Sequence, residues 1–339
     1  MAKGSQYLFG LTMLQLRLFG AVVLAALVTF CPSVVSPLRA VEFDASSCKF
    51  FQYVNSDGAT MIGYTPSQLD PRNPDNQVKL PTSSIKADLA ALRPAFDGLV
   101  TYGYHEACTP RVLAVAKELN YRAVMIGIWQ PKSAEEVDGV ARLVEQYHDE
   151  MAVAVIIGNE GLIFNRYEED DLRIAHARLR KRLPADVPLT TTEPLTTYDR
   201  QFVRDFGDFL APNIHPVFDA PDLEAAKAVA WTNEHALKLA QQSGKSVLVK
   251  ETGFPHAGKE RYTFDTQRAF WSEYVSQPLL AKVEGKADWI FRGVAFEAFD
   301  LHWKSEASGL AIERSWGLMS AERKPHPAFE IWQAKVDSP

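Results

Sequence analysis

Cysteine is scarce in this chain. Three in 339 residues exclude a small disulfide-stapled scaffold. Cys31, Cys48 and Cys108 stand in no CxxC spacing, and neither HxH nor HExxH occurs; His105-Glu106 lacks the second histidine of a zinc-protease motif. No metal site is therefore expected. Basic charge is also in deficit, with 36 Lys and Arg against 42 Asp and Glu, a net charge of −6. An acidic surface without a basic cluster argues against nucleic acid and suits a neutral polymer better. Internal repeats, low-complexity tracts and Gly/Ser linkers are absent, and a 47% hydrophobic, 23% charged composition is that of a globular protein. A glycine-rich phosphate loop is missing too: the first apolar run leads into GYTPSQ.

One long uncharged stretch exists, Leu18 to Val35, inside a segment 1–40 that carries Lys3, Arg17 and Arg39 and no acid. A basic start followed by an apolar run reads as a secretory signal, or as an uncleaved membrane anchor through residues 18–35, because eighteen residues just span a bilayer. The protein is therefore expected outside the cytoplasm, in a periplasm, cell envelope or medium, with residues 41–339 as one folded domain. In an exported protein Cys48 and Cys108 could pair; two buried thiols are the alternative.

What is present is alternation. Apolar runs at 59–66, 98–104, 121–129, 152–160, 187–194, 209–218, 246–255 and 293–303 are separated by helix-period segments. In TPRVLAVAKELN, Val112, Val115, Ala116 and Leu119 share a face behind Thr109-Pro110. In SAEEVDGVARLVEQY, Ser133 and Glu136 form a capping box ahead of the stripe Val137, Val140, Ala141 and Val144. Gly244 stops the segment before the seventh run. Continuously apolar strands alternating with helices mean a parallel sheet covered on both faces. Eight such units in one chain predict a single (β/α)8 TIM barrel over a doubly wound sheet.

Two runs end on a glutamate: AVAVIIGNE at Glu160 and SVLVKE at Glu251. Barrel active sites lie at the carboxyl ends of strands. Two carboxylates meeting there suit glycosidic bond cleavage, one protonated as acid and one ionised as nucleophile or base. Asn159 beside Glu160 can hydrogen-bond a sugar hydroxyl. The alternative is that both glutamates pair structurally with Arg or Lys.

GNE at 158–160, ETGFP at 251–255, FEAFDLHWK at 296–304 and ERSWGL at 313–318 together resemble glycoside hydrolase family 17, the β-1,3-glucanases and β-1,3-glucanosyltransferases, over about residues 60–330. The resemblance implies Glu160 as acid/base, Glu251 as nucleophile, retention of configuration with the carboxyls roughly 5–5.5 Å apart, β-1,3-glucan as partner, and no cofactor. The sequence departs from the family at Phe254, where a tryptophan is usual and the resemblance implies that the phenyl ring keeps the aromatic surface for substrate but loses the indole donor, at His215, where a tyrosine normally bonds the nucleophile, and at Leu301-His302, where an acid is frequent.

Supporting residues follow. Tyr64, Tyr102 and Trp129 end the first three strands and could stack on glucose rings, with core packing as the alternative. Trp303 and Trp316 follow the last strand, where the resemblance implies residues lining a sugar cleft, with core packing as the alternative. Glu193 could bind a hydroxyl, raise Glu160, or cap structurally. Glu297 and Lys304 lie in the last motif, with a Lys304–Glu313 ion pair as the plain reading of that lysine. A glucan transglycosylase using the same residues, a non-catalytic glucan-binding envelope protein, and a barrel acting on another linkage remain alternatives.

Overall fold

The computed structural model describes residues 43, 47–56, 58–277, 290–291 and 293–337; the expected leader lies outside them. These residues belong to one compact unit, Val41–Pro339. Five strands, β1 (Met61–Gly63), β2 (Gly98–Val100), β3 (Ala123–Ile128), β4 (Ala152–Asn159) and β5 (Leu189–Thr192), form a parallel sheet in sequence order. Their register runs Met61↔Gly98↔Ala123↔Ala152, and Val155 opposes Leu189. Two short strands, β6 (Val247–Leu248) and β7 (Ile290–Phe291), pair in parallel. The run 209–218, expected as a full strand, contributes isolated parallel bridges instead: Pro194↔Asn213, Leu210↔Val247 and Asn213↔Glu251. Pro212 and Pro216 flank that region, and proline removes ladder donors. Further bridges join Thr252 to Ala295 and Ala295 to Ile62 in β1.

Strand parity divides the interior. Met61, Val100, Ala123, Met125, Ala154, Ile156, Phe209, Ala211, Leu248 and Val294 pack with Phe50 and Phe51 in one cluster. The alternate residues Ile62, Leu99, Val124, Ile126, Val153 and Val155 belong to a larger cluster with the helices. Period-2 alternation thus sends one set inward and one toward the helical layer. The helix Lys49–Val54 lies against the inward set, with Phe51 edge-on to Phe209 at 5.5 Å. Cys48 caps that helix through its sulfur and is free, as is Cys108; no bridge joins them.

Helix signals hold with local shifts. Cys108, not Thr109, is the N-cap of Thr109–Glu118, and the Thr109 hydroxyl accepts from His105 N–H at 2.9 Å. Ser133 caps Ala134–Tyr147, but the Glu136 carboxylate turns to the backbone N–H groups of Trp129 (2.7 Å) and Gln130 (3.2 Å), so only half the capping box forms. Gly244 ends Ala225–Ser243 in the left-handed region.

Candidate active site

The register of β4 on β5 shifts between Ile156 and Asn159, immediately before Glu160. Gly158 takes φ +81°, and a side chain there would strike the Tyr167 ring, so glycine is required. Glu160 itself sits at φ +54°. Such irregularities at a strand end re-aim a side chain. Glu160 Oε1 accepts from Asn213 Nδ2 at 2.7 Å. Asn213 is in turn bridged through its backbone to Glu251, so one residue touches both glutamates.

Glu251 is buried, and its two oxygens have different partners. Oε2 meets His215 Nε2 at 3.1 Å, and Oε1 accepts from Lys250 Nζ. Lys250 is 1% exposed, donates to Asn159 Oδ1 at 2.7 Å, and holds its ammonium 4.1 Å from the Tyr102 ring centroid. Cation–π contact and two acceptors are what permit a lysine here.

The two carboxyls are driven apart. Burial pushes Glu160 up, and the Glu251 charge adds to it; Asn213, His215 and Lys250 only partly oppose this. Burial alone would raise Glu251 as well, but the Lys250 charge and the His215 hydrogen bond outweigh it and hold that carboxyl well below the usual range. His215 is lowered by burial yet raised overall, chiefly by its Glu251 contact. Separation of this kind assigns one neutral acid and one anion.

Around this pair, Lys304 Nζ donates to Glu297 Oε2 at 2.6 Å, replacing the Lys304–Glu313 pair considered from sequence. Burial still raises Glu297 more than Lys304 lowers it. Two buried polar atoms beside the Glu160–Glu251 pair have no hydrogen-bond partner, His215 Nδ1 and Glu297 Oε1, while the Tyr102 hydroxyl faces Glu251. Unpaired buried groups are costly, which makes them candidates for a ligand's hydroxyls. Trp129 is 38% exposed, with the Arg166 guanidinium 4.0 Å from its ring centroid.

Four residues take their structural reading rather than sugar binding. Tyr64 is buried, donates to Asp88 Oδ2 at 3.1 Å and packs on Phe299, because its parity is that of Ile62, toward the helices. Phe254 is 2% exposed and stacks on Phe270 at 5.5 Å, in the core rather than on a sugar. Glu193 is fully buried and spends its carboxylate on Leu162 N–H (3.0 Å), Ile163 N–H (3.4 Å) and the Tyr167 hydroxyl (3.2 Å), so it shapes the loop after Glu160. Trp316 is fully buried and packs edge-on against His215 at 5.3 Å. Asn159 spends its side-chain Oδ1 on Lys250 and its backbone carbonyl on Arg166. Sequence reasoning missed Lys250 and Asn213; a lysine inside an apolar run, next to the glutamate, was the available signal.

A family model for the BtgE/BtgC glycoside hydrolase domain matches residues 62–317. The chain belongs to this family. Among curated BtgE/BtgC-type relatives, it is 25% identical to a putative glucan endo-1,3-beta-glucosidase btgC of Aspergillus niger over 285 residues, 74% of this chain and 40% of that protein. It is 22% identical to a glucan 1,3-beta-glucosidase of Saccharomyces cerevisiae, covering 82% of this chain and 93% of that one. The chain spans less than half the length of the Aspergillus btgC proteins it matches. In structure it resembles a glycoside hydrolase family 17 beta-1,3-glucanosyltransferase from Rhizomucor miehei, with TM-score 0.60, 19% identity, and 82% and 98% of the two chains covered. An active-site mutant of a Rhizomucor miehei enzyme of that name, in complex with laminaritriose, matches at TM-score 0.61 and 18% identity, covering 81% and 97%. At these identities the likeness is one of fold: a parallel α/β architecture of the glycoside hydrolase barrel kind.

Proposed function

We propose that this chain is a retaining β-1,3-glucan hydrolase of the family 17 type, on a closed (β/α)8 barrel formed by residues 41–339. The bridges from β5 through Asn213, Glu251, Thr252 and Ala295 back to β1 support closure. Glu160 is the acid/base and Glu251 the nucleophile. The observation that carries this reading is the geometry at the two glutamates: Asn213 bonds Glu160 and is bridged to Glu251, whose oxygens are held by His215 and Lys250, and the opposed displacement of the two carboxyls agrees with it.

In the first step Glu251, ionised under Lys250 and His215, attacks the anomeric carbon while Glu160 gives its proton to the leaving oxygen. In the second, Glu160 takes a proton from water, which displaces Glu251 and restores the starting configuration. Trp129, Tyr102 and Trp303 offer aromatic surface for glucose rings, and Glu297 with Lys304 fixes hydroxyls near the broken bond. The names of the Aspergillus and yeast relatives support the β-1,3 linkage.

Proton NMR of a laminari-oligosaccharide digest is the test. The first product should be the β anomer, and Glu251→Ala should abolish turnover while glucan still binds. An α anomer at early times removes the nucleophile role from Glu251. Transfer to a second sugar uses the same residues and is favoured by the glucanosyltransferase names of the structural neighbours; products longer than the substrate would identify it. Export through residues 1–40 belongs to the same proposal. Among the described residues no helix is long and apolar enough to cross a membrane.

A further inference from the structure

Three side chains outside the Glu160–Glu251 constellation converge from distant parts of the chain. His256 lies in the loop five residues beyond Glu251, Asp300 in the segment after β7, and His326 near the carboxyl terminus. His256 Nε2 is 3.0 Å from Asp300 Oδ1, and His326 Nε2 is 2.8 Å from Asp300 Oδ2. Their ligand atoms all fall within 4.8 Å of one another. We propose that His256, Asp300 and His326 form a site for a divalent transition-metal ion of the zinc class, completed by water.

The distances fit. Metal–ligand bonds of about 2.0–2.1 Å in a tetrahedron put neighbouring donor atoms about 3.3 Å apart. The observed nitrogen–oxygen separations of 3.0 and 2.8 Å are within about half an ångström of that, and the two imidazoles would close on one ion from within 4.8 Å of each other. Two imidazoles and one carboxylate select zinc, nickel or copper over the oxygen-seeking calcium and magnesium.

The rings are already oriented. His256 stacks on Phe264 at 4.3 Å with its plane 13° away, and His326 lies 4.8 Å from the same ring. Gly317 N–H donates to Asp300 Oδ1 at 3.1 Å, an outer contact that fixes the carboxylate. The three side chains keep 10–13% exposure, enough for a water to reach a fourth position. Backbone bonds His256 N–H to Ser315 O and His326 N–H to Leu318 O, each 2.9 Å, anchor both histidines to one stretch. A bound ion would pin the loop that follows the nucleophile to two other segments, and take no part in bond cleavage. No motif betrays the site because its members are 44 and 26 residues apart.

The test is calorimetric titration of the whole protein, dialysed against chelator, with Zn2+, and optical titration with Co2+. One ion per chain should bind, the thermal midpoint should rise, and Co2+ should give the d–d bands of a four- or five-coordinate site. His256→Gln and His326→Gln keep an amide that can still bond Asp300 and so preserve the fold. Each should weaken Zn2+ at least about tenfold and remove the Co2+ bands, with circular dichroism unchanged. Unsaturable binding by the parent, or equal affinity in parent and both variants, overturns the proposal.

Discussion

Lys250 holds its ammonium against Glu251 with 1% exposure, so its replacement acts on two quantities at once. Lys250→Met keeps the bulk and removes the charge. Breaking one side of a buried pair costs about 3–5 kcal/mol, which urea denaturation would read. The Glu251 carboxyl should then rise, because its chief lowering influence is gone, and the acid limb of kcat/KM should move to higher pH. His215→Tyr makes a separate case. The phenol can keep the hydrogen bond to Glu251 but carries no positive charge near either glutamate. That charge lowers both carboxyls, so both limbs of the pH profile should shift upward. An unmoved basic limb would mean that Glu160 does not set it. Glu160→Gln, with no proton to give, should lower kcat by about 10²–10⁴-fold, least for substrates whose leaving group needs no protonation.

Glu193 is the clasp of the loop 160–167, and its effect is that of an element rather than a reacting group. Glu193→Gln leaves buried N–H groups with one acceptor fewer and should cost about 1.5–3 kcal/mol, the range of hydrogen bonds to a charged group. Because it positions Glu160 without touching sugar, kcat should fall more than KM; a change confined to KM would restore a sugar-binding role. The same element explains what could be read from the chain. The strand–helix alternation, the cap at Ser133 and the stop at Gly244 are local signals, and they were legible. Placing aromatic residues at strand ends was not enough, because parity decides which way they face. Tyr64 shares the parity of Ile62 and is buried within the cluster under the helices, whereas Tyr102 only packs against that cluster and holds its ring beside Lys250 at the site. Glu193 likewise shares the outward parity of Leu189. Asn213 and Lys250 escaped notice because their roles exist only once the 209–218 segment lies between the strand ends bearing Glu160 and Glu251.

At the scale of the molecule, the inward cluster and the site oppose each other in energy. Phe209 closes the apolar end against Phe50 and Phe51, and Phe209→Ala should cost about 3–5 kcal/mol with turnover per folded molecule retained. The other end stores charge that burial disfavours. Glu160, Glu193, Glu297 and Glu313 are all raised from 4.5 by burial, so the stability they confer is complete below 4.5 and is lost as pH rises through their folded values. His215, raised from 6.5, contributes fully below 6.5 and loses its share above it. Glu251 works in the opposite sense: lowered from 4.5, it stabilises above that value and ceases to as pH falls through its folded value. Around the Glu160–Glu251 pair, four carboxyls and one histidine thus weaken the fold as pH climbs, against Glu251, which weakens it in acid, and Lys250, lowered from 10.5 by burial, which works in the same sense as Glu251. The thermal midpoint, measured by scanning calorimetry in matched ionic strength, should therefore be highest near pH 4.5, where the raised carboxyls are still protonated and Glu251 is already ionised, and decline toward pH 8. Glu297→Gln, which removes the charge but keeps the shape, should flatten that decline. A midpoint that rises steadily to pH 8 would mean that these carboxyls are not buried together in the folded protein.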